Sequence, residues 1–446
     1  MPLLISRKPA INDKAMKASR YNCTFPLENG QIVLYNTLTD GILVLLPKLH
    51  AVYQENQEKP ERLERIHPEF FAALRKKGFL VDEGTDEHAL ALEQVRKEEA
   101  DEGVIQITVN PTLDCNFRCW YCYEEHRSGS KMPPTVQEAC KKFLHKTFHR
   151  EDIRRVVLSF FGGEPMLYYR EIVLPLIRHA RQCSQETGKG LDLYMTTNGY
   201  LLTEKVFDEL SAMGAMIDFQ IPLDGDEAQH DKTKFLKDKR GTYAIVRQNI
   251  LYGAKKGFPL TLRCNYTAEN IASFLQVAED FKEISRLPNV EAAFHKIWQE
   301  KPSPELHREY LETKAAFARY GYRSGDVEGR KGLCYADKLN NLTINYDGKL
   351  YCCTAREFDE KYEGILTAEG DAVWNERHEK RRSCKYHSAA CRACIFFPIC
   401  MQTCSQNVLE SPDPDSCVAG RTPQSIERAI KTRICLISPY PLDIGG

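Results

Sequence analysis

The sequence lacks long apolar runs, a recognisable secretory signal and an excess of charge of either sign. No run of about 18 apolar residues occurs, which argues against an ordinary transmembrane helix. The stretch MPLLISRKPAINDKAM has no charged segment followed by a sustained apolar run, so no secretory signal is predicted. The 61 Lys and Arg residues balance 62 Asp and Glu residues, so neither nucleic acid nor a membrane is expected as a partner. A cytoplasmic location is the resulting expectation.

A cytoplasmic protein keeps its thiols reduced, yet this chain contains 17 cysteines. Four of them stand singly among apolar neighbours and are expected to be small buried hydrophobic residues, namely Cys23, Cys140, Cys183 and Cys264. The others are concentrated at residues 115–122 and 334–435. Metal binding is therefore a better explanation for these two groups than disulfides.

The length of 446 residues and the 42% hydrophobic content predict a folded protein of two or three domains. Residues 1–84 predict a small winged-helix-like module. Its expected elements are strands at Gln31–Asn36 and Phe79–Glu83 and helices at Asp40–Tyr53 and His67–Gly78. Residues 85–103 are charged throughout and predict a solvated linker helix.

Residues 104–322 alternate apolar strands with amphipathic helices, which is the pattern of a parallel sheet covered by helices. The six predicted strands are Val104–Val109, Val156–Phe161, Leu191–Thr196, Ile217–Pro222, Leu260–Asn265 and Val290–His295. The predicted fold class is α/β, with a partial (β/α)6 barrel. Polar motifs follow four of these strands, at the edge where barrels place their active sites. Residues 323–446 are cysteine-rich and loop-heavy, which predicts a third, metal-stapled domain.

The stretch DCNFRCWYCYEE places Cys115, Cys119 and Cys122 in a CX3CX2C spacing directly after the first predicted strand. A structural zinc site would need a fourth ligand, for which His126 is the nearest candidate. A [4Fe–4S] cluster is the alternative, and three thiolates would leave one of its irons open.

This motif, with the aromatic Tyr121 before its last cysteine, resembles the signature of radical S-adenosylmethionine (radical SAM) enzymes. The resemblance implies a catalytic [4Fe–4S] cluster on Cys115, Cys119 and Cys122 whose open iron binds SAM. In that family one electron cleaves SAM to methionine and a 5′-deoxyadenosyl radical, which abstracts hydrogen from the substrate. An external one-electron donor such as flavodoxin or ferredoxin is implied as a partner.

Further motifs match the family in order along the chain: FFGGEP after the second strand, TTNG after the third and QIPLDG at the fourth. Pro222 stands where a serine is common in the family. Arg263 either holds the SAM carboxylate or pairs with a neighbour. The SAM-binding residues that the resemblance implies are Tyr121, Gly162, Gly163, Glu164, Thr196, Thr197, Asn198, Asp224 and Arg263.

The C-terminal cysteines have a spacing similar to the seven-cysteine SPASM extension of certain radical SAM enzymes, which carries two auxiliary [4Fe–4S] clusters. One implied ligand set is Cys391, Cys394, Cys400 and Cys417, and the other is Cys334, Cys353 and Cys404. The resemblance therefore implies three [4Fe–4S] clusters, with zinc as the alternative metal for the CX2C pair. The fourth ligand of the second set is Cys352, Cys384, an added thiol or an open iron. Cys435 lies outside the motif and is expected to be structural.

The N-terminal module resembles the peptide-recognition domain (RiPP recognition element) of radical SAM peptide maturases, in which a leader peptide adds a strand to a sheet edge. The implied activity is installation of a thioether or C–C crosslink in a ribosomally made precursor peptide. An anaerobic sulfatase-maturating enzyme is an alternative, although Thr354 stands where an aspartate base is common in that relative. A non-catalytic iron–sulfur protein for electron transfer or peptide binding is an alternative of another class.

Two other features have simple structural explanations. The aromatic residues Trp298, Phe396 and Phe397 are expected in the core, and the basic stretch His378–Arg382 is expected to be a solvated helix face.

Overall fold

The computed structural model describes residues 15–100, 103–325, 332–402, 404–413, 415–438 and 442. These residues fall into two compact units. The first comprises the described parts of Met1–Glu99, Glu328–Cys334 and Cys384–Gly446, and the second those of Ala100–Val327 and Tyr335–Ser383. No helix within the described ranges is long and apolar enough to cross a membrane.

The first unit begins with a small α+β module. Its elements are β1 (Met16–Ala18), β2 (Asn22–Pro26), β3 (Ile32–Asn36), β4 (Gly41–Leu45), α1 (Pro47–Glu55), α2 (Glu61–Ile66), α3 (Pro68–Lys76), β5 (Leu80–Asp82) and α4 (Glu87–Glu99). Strands β2, β3 and β4 form an antiparallel sheet in that order, and β1 pairs with β5. Helices α1–α3 cover one face of the three-stranded sheet, where Leu34 and Leu45 pack with Tyr53, Leu63 and Leu74.

The helix predicted over Asp40–Tyr53 was wrong in its first half, where the structure has strand β4. Leu46 is extended, with φ −68° and ψ 149°, and Pro47 takes the first position of α1. Proline fixes φ, lacks an amide hydrogen and disfavours a helical conformation in the preceding residue. The helix therefore begins at Pro47. The other three elements predicted for this module are present as β3, α3 and β5.

Helix α4 is the charged helix predicted after this module, but it is not solvated on all sides. Ala91 and Val95 are fully buried and belong to one apolar cluster with Phe397 and Met401. Their spacing of four residues places them on one helix face. The many charged residues around them hide this short apolar stripe in the sequence.

The second unit is built on an 11-stranded mixed sheet. Its first seven strands are β6 (Val104–Val109), β7 (Arg155–Phe160), β8 (Gly190–Thr196), β9 (Ile217–Leu223), β10 (Leu260–Tyr266), β11 (Val290–Lys296) and β12 (Arg323–Ser324). They lie in sequence order and pair in parallel. The helices between them are α5 (Pro134–His149), α6 (Leu174–Thr187), α7 (Glu204–Ala212), α8 (Glu227–Thr233), α9 (Tyr243–Lys255), α10 (Phe274–Asp280) and α11 (Pro304–Tyr320). The six predicted strands are confirmed as β6–β11.

The same sheet continues into the cysteine-rich part of the chain. The added elements are β13 (Asn341–Ile344), β14 (Lys349–Tyr351), β15 (Gly364–Leu366), β16 (Ala372–Trp374) and α12 (Glu376–Ser383). Strand β13 pairs in parallel with β6, and β14–β16 follow in antiparallel order. One apolar core spans both parts, since Ile344 and Leu350 are buried in the same cluster as Ile107, Leu158 and Phe219.

The C-terminal segment belongs to the first unit. It forms α13 (Ala389–Ala393), α14 (Phe397–Cys400), α15 (Ser405–Glu410) and α16 (Pro423–Ile437). Val33 and Tyr35 of β3 pack there with Phe396, Ile430 and Ile434. Because side chains alternate along a strand, β3 buries these two residues on the face opposite to Leu34. The N-terminal sheet is thus covered on its second face by the far end of the chain.

Candidate active site and auxiliary cysteine site

The three cysteines of CX3CX2C lie on the loop after β6, at the carboxyl ends of the parallel strands. Cys115 is 7% exposed, Cys119 is half-buried and Cys122 is exposed. The loop is fixed by the Thr112 hydroxyl, which donates to the Ser130 carbonyl, and by a hydrogen bond from Cys122 N to Cys119 O of 3.2 Å. Burial raises the pKa of all three thiols, that of Cys122 to about 11. Without a bound metal they are therefore protonated at neutral pH, whereas metal binding requires thiolates.

The spacing of these thiols does not suit a single zinc ion. Four tetrahedral Zn–S bonds of about 2.3 Å would place the sulfur atoms about 3.8 Å apart. Among the described residues, two groups of at least three Cys, His, Asp or Glu ligand atoms have all their atoms within 4.8 Å of one another. Neither group includes a cysteine of CX3CX2C or of the seven-cysteine motif. His126 has its Nδ1 3.5 Å from the Arg118 guanidinium. Three thiols on one loop match the ligand number that leaves one iron of a [4Fe–4S] cluster open.

The loop after β6, residues 110–133, is here called the cluster loop. Gly162 and Gly163, which follow β7, lie directly against its backbone. A Cβ on Gly162, where φ is +95°, would lie 2.5 Å from the Thr112 carbonyl oxygen, and one on Gly163 would lie 2.2 Å from the Asp114 carbonyl oxygen. Glu164 N donates to Asp114 O at 2.8 Å. Glycine is required here because any side chain would separate the two loops.

Glu164 is fully buried and connects the loops after β7 and β8. Its Oε1 accepts hydrogen bonds from Met166 N at 2.9 Å and Thr197 Oγ1 at 2.7 Å, and its Oε2 accepts from Asn198 N at 2.8 Å. Burial raises the pKa of Glu164 to about 7, although these hydrogen bonds lower it in part. A cation such as an ammonium group would favour the ionised form of this carboxyl.

The loop after β8 also reaches the cluster loop. Asn198 Nδ2 donates to Asn116 Oδ1 at 2.8 Å and lies 3.9 Å from Cys115 Sγ. Thr196 is less central, since its hydroxyl accepts a hydrogen bond of 3.3 Å from Gln220 of the neighbouring strand. The structure thus places Glu164, Thr197 and Asn198 together beside Cys115.

A buried ion pair lies on the other side of the cluster loop. Lys234 Nζ is 2.9 Å from Asp224 Oδ2, with 3% and 2% of the two side chains exposed. Lys234 also donates to Tyr121 OH at 2.6 Å and lies 3.6 Å from Cys119 Sγ, while Tyr121 OH donates to Asp224 Oδ1 at 2.7 Å. Burial by itself lowers the pKa of Lys234, but the charges of Asp224, Cys119 and Tyr121 together with the hydrogen bond to Asp224 outweigh burial and raise that pKa. Lys234 is therefore a cation next to a cluster thiol.

Lys234 was not identified from the sequence, and no motif spacing points to it. Its contact with Cys119 arises because the chain folds back after α8. Arg263 Nε donates to Asn265 Oδ1 at 3.1 Å, and Asn265 Nδ2 donates to Tyr121 OH at 2.9 Å.

Aromatic residues stack beside the last cysteine of the loop. Tyr123 stacks on Trp298 with ring centroids 5.0 Å apart, and the Arg356 guanidinium lies 5.8 Å from the Trp298 centroid. Trp298 is 61% exposed, so the expectation of a core residue was wrong for it, whereas Phe396 and Phe397 are buried. Trp298 follows the end of β11, where side chains line the rim of the sheet.

The Thr354 position is connected to the same group of residues. Tyr123 OH donates to the Thr354 carbonyl at 2.9 Å, and the Thr354 hydroxyl lies 2.6 Å from Tyr335 OH. The residue after Cys353 is thus within one hydrogen bond of the cluster loop, and it offers a hydroxyl where a carboxylate base would be needed for formylglycine chemistry.

The first auxiliary ligand set lines one cavity of about 230 Å³ in the first unit. Cys391, Cys394, Cys400 and Cys417 all border it. The thiols are close enough that the charges of Cys400, Cys417 and Cys394 add to burial in raising the pKa of Cys391 to about 11. Four thiols around one cavity match in number and kind the ligands of an iron–sulfur cluster.

The two residues that follow Cys400 adopt a strained backbone conformation. Met401 and Gln402 have φ values of 53° and 47°, in the left-handed region that residues other than glycine seldom adopt. Both are buried, at 0% and 3% exposure. Such strain persists where the surroundings enforce it, and it is typical of functional sites.

Of the three cysteines in the second implied set, Cys334 and Cys404 belong to the first unit and Cys353 belongs to the second. Of the two candidate fourth ligands, Cys384 donates from Sγ to Ser405 O at 3.8 Å. Cys352 is fully buried, with its Sγ 3.6 Å from His378 Nδ1. Cys435 is exposed.

His378 and Arg381 are not on a solvated helix face, as the basic stretch had suggested. They are 7% and 2% exposed. Arg381 donates to both carboxylate oxygens of Glu363, at 2.9 and 2.6 Å. Because positions three apart share a helix face, one side of α12 turns both residues inward.

The comparisons with known proteins agree with this geometry. Residues 109–281 match the model of the radical SAM superfamily. GTP 3′,8-cyclase from Rhizobium etli is 26% identical over 298 residues, covering 60% of this chain and 81% of that protein. The radical SAM cyclopropyl synthase TigE from Paramaledivibacter caminithermalis is 21% identical over 398 residues, covering 80% of each chain.

Two solved structures share the fold. Native anSMEcpe with bound AdoMet has a TM-score of 0.56 and 16% identity, covering 75% of this chain and 99% of that one. Streptococcus suis SuiB bound to S-adenosylmethionine has a TM-score of 0.51 and 14% identity, covering 90% of this chain and 98% of that one. With CX3CX2C, the glycine contact and the buried Glu164 at the carboxyl ends of its strands, this chain has a radical SAM domain, matched over residues 109–281.

Proposed function

We propose that the protein is a radical SAM peptide maturase that installs a thioether or C–C crosslink in a ribosomally made precursor peptide. The observation that carries the proposal is the convergence of Glu164, Thr197 and Asn198 beside Cys115 on the loops after the first three barrel strands. When bound, a [4Fe–4S] cluster and SAM supply a 5′-deoxyadenosyl radical that abstracts hydrogen from the substrate.

The residues of the chain have distinct tasks in this proposal. Cys115, Cys119 and Cys122 would hold the cluster, and the backbone at Gly162 and Gly163 with the Glu164 carboxylate would bind the SAM ammonium. The Tyr121, Asp224 and Lys234 group would fix the cluster loop and keep water from it. Trp298, stacked on Tyr123 and largely exposed, offers an apolar surface for a substrate side chain.

A peptide substrate is supported by the N-terminal module. In the order β2-β3-β4, strands β2 and β4 are the edges of their sheet, and neither pairs with a further strand of the described chain. A leader peptide could add to such an edge through main-chain hydrogen bonds. Similar folds act on or bind peptides, as in native anSMEcpe with bound AdoMet and Cp18Cys peptide, whose TM-score is 0.56.

Two auxiliary [4Fe–4S] clusters complete the proposal, and they would accept the second electron when the substrate radical closes onto sulfur or carbon. The cavity bordered by Cys391, Cys394, Cys400 and Cys417 supports one of them. The other would use Cys334, Cys353 and Cys404.

Sulfatase maturation is the second candidate function, favoured by the fold shared with anSMEcpe. The Thr354 hydroxyl argues against it, because oxidation to formylglycine needs a base at the substrate and a hydroxyl paired with Tyr335 is a poor one.

Two experiments test the proposed function. The reconstituted protein, incubated anaerobically with dithionite and SAM, should release 5′-deoxyadenosine, and absence of this product would show a non-catalytic iron–sulfur protein. Co-expression with a candidate precursor peptide, such as one encoded by a short open reading frame beside the gene, followed by tandem mass spectrometry, should show loss of two hydrogens per crosslink. An unchanged mass with deuterium uptake from heavy water would indicate epimerisation, and formylglycine in a co-expressed sulfatase would favour the second candidate.

A further inference from the structure

Arg421 borders the cavity of the first auxiliary ligand set and carries a buried hydrogen-bond donor. Of the described residues around the cavity, Arg421 is the one with a charged side chain. Its guanidinium lies 4.8 Å from the centroid of the Phe396 ring, which also borders the cavity. This stacking holds the planar group in one orientation.

The Nε–H group of Arg421 is buried and has no hydrogen-bond partner among the described residues. A buried donor without an acceptor costs about 1–3 kcal/mol, so it indicates that an acceptor is absent. Gln402 is the other polar residue at the cavity apart from the cysteines, and its Oε1 accepts a hydrogen bond of 2.5 Å from Tyr386 N. The remaining border is apolar, formed by residues such as Ala390, Phe397 and Ile426.

The acceptor that suits this donor is sulfur. The four thiolates would hold an anionic cluster in the cavity, and its sulfurs accept N–H hydrogen bonds. Hydrogen bonds to the sulfurs and nearby positive charge stabilise the more negative, reduced form of an iron–sulfur cluster. The first turn of α16 adds a partial charge of the same sign, because Pro423 and Ile426 also border the cavity.

We propose that Arg421 donates a hydrogen bond to the auxiliary cluster held by Cys391, Cys394, Cys400 and Cys417 and raises its reduction potential. This inference rests on the proposed function for the existence of that cluster. The redox step is a one-electron reduction of the cluster from the 2+ to the 1+ state by an external low-potential donor. No bond is broken, and no proton is transferred.

The test is a redox titration of the holoprotein with dithionite, followed by electron paramagnetic resonance. The signal of this cluster is identified as the one lost in C394A. In R421M the midpoint potential of this cluster should become more negative by at least about 59 mV, which corresponds to a tenfold change in the equilibrium constant of a one-electron reduction. R421K keeps the charge without the Nε–H group and should lie between R421M and the native protein.

R428M is the matched control, because it removes an exposed arginine of α16 that does not border the cavity. Its potential should equal the native value. An R421M protein with full iron content and a native potential would overturn the proposal. If R421M loses iron from this site, the potential of the cluster in R421K is the test. A native potential in R421K would overturn the proposal, and a more negative potential would support it.

Failure of the proposed function has a different signature. If C394A retained all the iron of the native protein, the cavity would not hold a cluster and the assignment of the four cysteines would be wrong, whatever the potential in R421M.

Discussion

Lys234 lies where a single side chain serves both the fold and the candidate site, because its cation contacts Asp224, Tyr121 and Cys119. K234M would leave Asp224 buried without its ion pair, and breaking such a pair from one side costs about 3–5 kcal/mol of folding free energy. We expect a lower midpoint of urea unfolding and less iron bound after reconstitution. Circular dichroism and an iron assay measure the two effects.

Lys232 provides the control for this prediction. Its ion pair with Glu269 has a similar N–O distance of 2.8 Å, but the two side chains are 64% and 70% exposed. K232M should change stability by about 1 kcal/mol or less. If K232M and K234M lowered the free energy of unfolding equally, burial would not explain the strength of the Lys234–Asp224 ion pair.

Gly163 tests whether the contact between the GGEP loop and the cluster loop matters. In G163A the added Cβ would lie 2.2 Å from the Asp114 carbonyl oxygen, so one of the loops must move. We expect formation of 5′-deoxyadenosine from SAM to fall at least tenfold, measured by chromatography of the anaerobic reaction. G84A is the control, because a Cβ there meets nothing within 4 Å. Native turnover by G163A would show that the contact is not needed.

The sequence allowed part of this site to be predicted, because motifs at strand ends meet wherever the strands are parallel neighbours. Glu164, Thr197 and Asn198 lie near Cys115 for this reason. Lys234 and Trp298 could not be predicted, since their contacts depend on how loops fold back and not on strand order. Arg263 also needed the structure, because its partner Asn265 is a neighbour on the same strand and any arginine in a barrel has several such options.

At the scale of single elements, prediction succeeded where periodicity was long and unambiguous. Strands β6–β11 are apolar runs flanked by loops, and their positions follow from that pattern. Helix α12 shows the limit, because its basic residues suggested solvent exposure while Arg381 pairs with the buried Glu363. A charge pattern alone does not show which charges have partners elsewhere in the chain.

The Glu363–Arg381 pair anchors α12 to the loop before β15 and makes this anchor sensitive to acid. Burial by itself would raise the pKa of Glu363, but hydrogen bonds from His378 and Arg381 and the Arg381 charge outweigh it and hold that pKa at about 2, below the ordinary 4.5. A carboxyl with a lowered pKa stabilises the fold above its unfolded pKa, and this contribution is lost as pH falls from about 4.5 towards 2. The difference between these two pKa values corresponds to about 3 kcal/mol of the free energy of unfolding.

We therefore expect E363Q to lower the free energy of unfolding at pH 7, and the difference from the native protein to shrink as the pH falls below 4.5. Urea unfolding of iron-free protein at pH 7, 4 and 3 measures this, so that acid-labile sulfide does not interfere. A difference that stays constant with pH would show that Glu363 is not ionised in the folded state.

At the scale of the whole molecule, the two ends of the chain form one unit, in which the N-terminal sheet and the C-terminal helices share a core. Ile434 is fully buried in that core, and I434A should cost about 2–5 kcal/mol. We expect weaker binding of the precursor peptide, measured by fluorescence anisotropy of a labelled leader, because the sheet that would receive it loses support.

Leu436 on the same helix is 58% exposed and provides the control. L436A should bind the leader as the native protein does. If I434A bound the leader with the same affinity as L436A, peptide binding would not depend on the shared core.

The shared core also determines when the N-terminal module can finish folding during synthesis. Val33 and Tyr35 leave the ribosome long before Ile430 and Ile434, with which they pack in the folded protein. About 395 residues separate Tyr35 from Ile430, so at about 5–20 residues per second this face of the β2-β3-β4 sheet stays uncovered for about 20–80 s. During that interval the nascent chain exposes an apolar surface with two open strand edges, which is the kind of intermediate that chaperones bind and that is prone to aggregate.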